Sequence, residues 1–173
     1  MARIAGGAAV AGLLACIALV AGEEPSASLV APGGVATFLG NLTGLAGTYL
    51  AMLMVLLASR IPALERVAGL DGLLRWHRRV APWPLGLITL HALLLTVGFA
   101  QTSHSGIAHE IGTLVTSYPD MLAAFVGFGL MLAIGVVSIR ALRRRLRRET
   151  WWAVHLYMYL AIAMSFPHIV VLG

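Results

Sequence analysis

Five long apolar stretches, separated by short polar segments, set the pattern of the chain: residues 4–22, 35–58, 80–100, 121–139 and 151–172. About 20 apolar residues suffice for a helix to cross a bilayer. The pattern therefore predicts an all-α membrane protein, a bundle of five transmembrane helices. What remains is too short for a soluble domain, so 1–173 is read as a single transmembrane domain. Between the second and third stretches, residues 60–79 place Leu64, Val67, Leu70, Leu73 and Leu74 among charges. This predicts a short amphipathic element on the membrane surface that leads into the third span. Residues 101–120 read as a polar loop carrying His104, His109, Glu110 and Tyr118.

Composition agrees with the pattern. Hydrophobic residues make up 60% of the chain and charged residues only 11%, less than half of what a soluble domain carries. All 12 basic residues are arginine. Arg3 precedes the first span. Arg60, Arg66, Arg75, Arg78 and Arg79 lie between the second and third, and Arg140, Arg143, Arg144, Arg145, Arg147 and Arg148 between the fourth and fifth. With five spans all twelve fall on one side, which the positive-inside rule makes cytoplasmic, N-terminus included. The opposite loops hold Glu23, Glu24, Glu110 and Asp120. A net charge of +5 is thus explained by topology and lipid headgroups, not by nucleic acid. The first stretch has some features of a signal peptide, but its length and the lack of a cleavage site before Glu23 favour a retained helix. The expected location is the cell membrane, of the bacterial inner-membrane type.

Cys16 is the only cysteine, so neither an internal disulfide nor a covalent CxxCH haem attachment is available. Gly40, Gly44 and Gly47 in the second span are spaced for close helix packing or for the accommodation of a flat macrocycle. The glycosylation pattern Asn41-Leu42-Thr43 lies inside that span and is discounted.

Histidine is rare inside membranes and usually functional there. This chain has two pairs on apolar segments: His77 with His91, and His155 with His168. A helix turns about 100° and rises about 1.5 Å per residue, so His77 and His91 return to within roughly 40° of one another, about 21 Å apart along the axis. His155 and His168 differ by roughly 140° on a straight helix. A kink or wide turn at Pro167 would be needed to bring His168 round. Pro82 and Pro84 suit a helix's first turn, so the regular third helix is expected to begin near Pro82, with His77 on a bent lead-in. By topology His77 and His155 are inner, and His91 and His168 outer. Each pair can clamp one b-type haem iron axially, with Arg75, Arg78 and Arg79 as candidate partners of the inner propionates or simply positive-inside residues. His104, His109 and Glu110 are candidates for an outer metal-binding mouth, although as loop residues they need no ligand.

Three segments, Gly69-Leu-Asp-Gly-Leu-Leu-Arg-Trp-His-Arg-Arg79, Leu90-His-Ala-Leu-Leu94 and Trp151-Trp-Ala-Val-His-Leu-Tyr157, together with His168, resemble the ferric reductase-like transmembrane family of ferric reductases and NADPH oxidases. The resemblance implies two b haems with His77, His91, His155 and His168 as axial ligands. It also implies electron transfer from a cytoplasmic flavin domain (FAD or FMN) to an outer acceptor such as ferric iron or oxygen. The prolines after His77 depart from the family pattern. The family normally continues into a sixth helix, and its larger members into a flavin- and nicotinamide-binding module; no Gly-rich dinucleotide fingerprint occurs here. The expectation is a haem subunit served by a separate flavin reductase, or a partial chain. Two rival readings remain open. One is a haem-binding membrane subunit of a two-component reductase, similar to that of the methionine sulfoxide reductase system. The other is a non-enzymatic membrane scaffold whose histidines only pack.

Overall fold

A computed structural model describes residues 2–23, 26–118 and 120–172. The side chains of Arg3 and Glu23, and Glu24 as a whole, fall outside the described residues, so that part of the charge pattern is left where the sequence put it. The protein is 88% helical, with no strand among the described residues. The helices form two compact units, residues 1–105 and 106–173.

The first unit contains α1 (Ala2–Glu23), α2 (Ser26–Val30), α3 (Gly34–Ala58), α4 (Pro62–Ala68), α5 (Leu70–Val80) and α6 (Pro82–Thr102). Its centre is the α3–α6 pair. Gly40 lies on Leu95, Gly44 on His91 and Gly47 on Ile88, and Gly98 of α6 lies on Thr37. As the α3 number rises the α6 number falls, so the two helices are antiparallel. A side chain at any of these glycines would overlap its neighbour; this is close small-residue packing of the kind that replaces the hydrophobic effect in lipid. Gly33 caps α3 at φ 80° against the Gly98 carbonyl, a left-handed conformation that favours glycine. α1 is held to α3 by Tyr49, whose hydroxyl donates to the Ala9 carbonyl at 2.9 Å and lies over Gly12.

The second unit contains α7 (Ile107–Ser117), α8 (Met121–Ser138), α9 (Arg140–Arg143) and α10 (Arg148–Leu172). Gly127, Met131 and Ile134 form the buried stripe of α8. Gly127 rests on the Ala161 carbonyl and the Ser165 hydroxyl, and Ala161 is completely buried. α8 and α10 also run antiparallel, since Ser138 lies beside His155.

Among the described residues, four helical stretches are long and apolar enough to cross a membrane: Gly34–Ala58, Leu70–Thr102, Met121–Ser138 and Arg148–Val171. In α1 the described apolar run is the shorter Ala9–Leu19. The protein is therefore a multi-pass helical membrane protein. Its outer surfaces agree: Leu93, Leu122, Trp152 and Val170 are each at least 60% exposed, which water would not tolerate over so wide an area. Several hydroxyl side chains within the helices are satisfied by their own helix backbone. Thr43 donates to Leu39, Thr89 to Leu85, Thr96 to Ala92 and Ser165 to Ala161, at 2.7–3.0 Å, as a medium without water requires. Thr43 at mid-helix also accounts for discounting the Asn41 sequon.

Three features differ from the sequence pattern. The third apolar stretch begins at Pro82 as expected, but the helix that carries it extends back to Leu70, because Ala81 stays right-handed (φ −48°, ψ −35°) and carries α5 into α6. Pro82 sits at the first position of α6, where the absent N–H costs nothing. The lead-in bearing His77 is thus helical. Part of the outer loop is the amphipathic helix α7, which buries Leu114 and Glu110. Finally, α10 continues as an α-helix through Pro167, without a wide turn.

Candidate functional site

Each unit places one histidine near its arginine-bearing end and a second one deeper along the same helix. In the first unit these are His77 on α5 and His91 on α6. His77 Nδ1 donates to the Met54 carbonyl at 3.2 Å, and His91 Nδ1 donates to the Gly40 carbonyl at 2.8 Å. A carbonyl only accepts, so both Nδ1 atoms must carry the proton. Neutral imidazole then has its lone pair on Nε2, the state required of a metal ligand, and this second-shell bond is what usually orients a ligating histidine. Gly40 and Met54 are fourteen residues apart, as are His77 and His91. One helix therefore anchors both rings through a single repeat. Gly44 leaves the space that the His91 ring fills.

In the second unit His155 lies one turn beyond Trp151 and stacks on it, with centroids 5.1 Å apart and planes 19° apart. Its Nδ1 is 3.5 Å from the Ser138 hydroxyl, the outer limit of a hydrogen bond. His168 is half-buried, with a covered Nδ1. On a straight helix it falls within about 20° of Ala161, the residue buried on α8, whereas His155 lies about 120° round.

Arg75 and Arg79 line a cleft of about 350 Å³ with Ala68, Gly72 and Trp76, and the Arg79 guanidinium lies 5.7 Å from the Trp76 ring centre. Each is two residues from His77 and so roughly opposite it on α5. Arg78 is exposed. The outer metal mouth is not formed. Among the described residues no three His, Cys, Asp or Glu side chains gather to hold an ion; His104 occupies a left-handed turn, and His109 is exposed on α7. A bare ion needs several protein ligands, but a haem iron needs only axial ones, since the porphyrin fills the rest. His77 and His91, each with Nδ1 bonded to a carbonyl, have the tautomer that such a ligand needs.

Gly40 and Met54 as carbonyl acceptors, Ser138, Trp151 and Arg143 were not singled out from sequence. Backbone acceptors leave no residue-type mark; only the Gly40, Gly44, Gly47 spacing pointed to that part of α3.

The fold defines a multi-pass helical membrane protein with histidines built into its spans. Residues 43–166 match the family described as the ferric reductase like transmembrane component, and the chain belongs to that family. The matched region contains His77, His91 and His155 and ends just before His168. No curated protein and no solved structure matches the chain.

Proposed function

We propose that this protein carries electrons across the membrane on two b-type haems. His77, His91, His155 and His168 are the axial ligands, paired as the charge pattern pairs them. The donor is a cytoplasmic flavin reductase, as a domain or a separate protein, and the acceptor is a small molecule or metal ion on the outer side, such as ferric iron or oxygen. The observation that carries the reading is the pair of anchors on α3: His77 to Met54 and His91 to Gly40, at one fourteen-residue repeat.

Haem held by these histidines would supply one-electron chemistry. The protein's own share is to position and insulate. The Gly40 and Met54 carbonyls hold the first two rings and fix their tautomer. Trp151 and Ser138 orient His155. The apolar helices keep water out, and α1 supplies a fifth span, with the arginine ends cytoplasmic. Arg75, Arg78 and Arg79 serve as headgroup contacts or propionate partners.

A second reading has two observations in its favour: His168 lies beyond the family match, and on a straight helix it is out of phase with His155. It is a membrane subunit of a two-component reductase with a single haem. The test uses vesicles loaded with dithionite and containing the purified full chain, with ferricyanide outside. The two-haem reading expects external reduction, abolished by His91→Ala and by His155→Ala. Reduction no faster than in empty vesicles would overturn transmembrane transfer.

A further inference from the structure

Trp151 sits in the first turn of α10, its N–H bonded to the Arg147 carbonyl. Its indole Nε1 is fully covered and has no acceptor among the described residues. Such orphaned buried donors are uncommon, and each points to a partner that the polypeptide does not supply. Two neighbours indicate what that partner is. The Arg143 guanidinium lies 4.1 Å from the centre of the same indole ring, so the place favours an anion. The His155 ring stacks on Trp151 at 5.1 Å, so the anion belongs close to that imidazole. The charged residues near this turn are Arg140, Arg143, Arg144, Arg145, Arg147, Arg148 and Glu149, and all of them, Arg143 included, are exposed.

This inference rests on the haem reading above. Haem b carries its negative charge on two propionate carboxylates. We infer that the Trp151 indole N–H is the donor that receives a propionate of the haem ligated by His155, with Arg143 supplying the counter-charge. Trp151 is then both an anchor for the prosthetic group and a positioning residue for its ligand. Arg75, Arg78 and Arg79 of α5 were considered above as propionate partners of the same inner haem; Trp151 adds a donor from α10.

The test is made on the full chain purified with its haem, using Trp151→Phe, which keeps an aromatic ring beside His155 but removes the N–H. Two readouts are taken: the propionate bending band in the resonance Raman spectrum, and the rate of haem transfer to an excess of haem-free acceptor protein. The expected result is a shifted propionate band and about tenfold faster haem transfer, the scale of one hydrogen bond to a charged group. Arg143→Gln is expected to accelerate transfer and to lower the midpoint potential of the same haem, because a positive charge favours the reduced form. An unchanged propionate band in Trp151→Phe overturns the inference while leaving the haem reading intact; so does a lipid phosphate as the true acceptor, seen as a band that responds to delipidation but not to Trp151→Phe. Wild-type protein without haem bands overturns both.

Discussion

Gly44 of α3 lies against the imidazole of His91, at a distance that leaves no space for a side chain. The same ring donates to Gly40 one turn earlier. The close approach of α3 and α6 and the orientation of a candidate ligand are therefore one structural fact. Gly44→Ala forces the ring or a helix to move, and overpacking of this sort costs about 1–3 kcal/mol. The expected outcome is a lower melting temperature together with loss of the His91-dependent part of the haem absorbance. Gly112→Ala serves as the control. It faces open space on α7 and should stabilise that helix by up to about 1 kcal/mol without altering the absorbance.

Pro167 removes the backbone donor that would otherwise bond to Ala163, one residue before His168. Pro167→Ala restores the donor and stiffens the last turns of α10. If the proline sets the direction of His168, the variant shifts the midpoint potential of the haem that His168→Ala disturbs and leaves the His155-dependent one in place. Redox titration of the purified protein reads both.

The Tyr49 hydroxyl makes a polar tie between α1 and α3. Tyr49→Phe removes one hydrogen bond, for which membrane proteins show about 0.6 kcal/mol on average. Hydrogen exchange should quicken at residues 9–19 and stay unchanged in α8 and α10. Equal quickening everywhere would mean that the bond supports the whole molecule.

Arg60 and Glu65 form a salt bridge at 3.1 Å with the arginine 68% exposed. Exposed pairs contribute roughly 0–1 kcal/mol. Glu65→Gln should therefore change the melting temperature little, and added salt should erase what difference there is.

How much of this could be read from the amino-acid order follows from what lipid demands. Lipid rewards uninterrupted apolar length, so α3, α8 and α10 are visible within one to three residues of where they lie. Proline chemistry placed the start of α6 at Pro82. The amphipathic lead-in of residues 60–79 was legible, but its unbroken continuation into α6 was not, because Pro82 and Pro84 mark a helix start. α7 was hidden for a related reason: Ile107, Ile111 and Leu114 carry helical spacing, but His109 and Glu110 made the segment read as a polar loop. At the site, the residue types named the four histidines. They could not name the Met54 and Gly40 carbonyls, since every residue has one, nor the stacking of Arg143, Trp151 and His155, which depends on how the chain turns between α9 and α10.

The histidines are proposed to hold haem, and the direct measurement is a reduced-minus-oxidised absorbance spectrum of the purified full chain with haem quantified against protein. A b-type spectrum with two haems per chain is expected, and one of them is expected to be lost in His91→Ala, in which the Gly40 anchor has nothing to hold. A folded, helical protein that purifies with no haem absorbance at all would contradict that proposal.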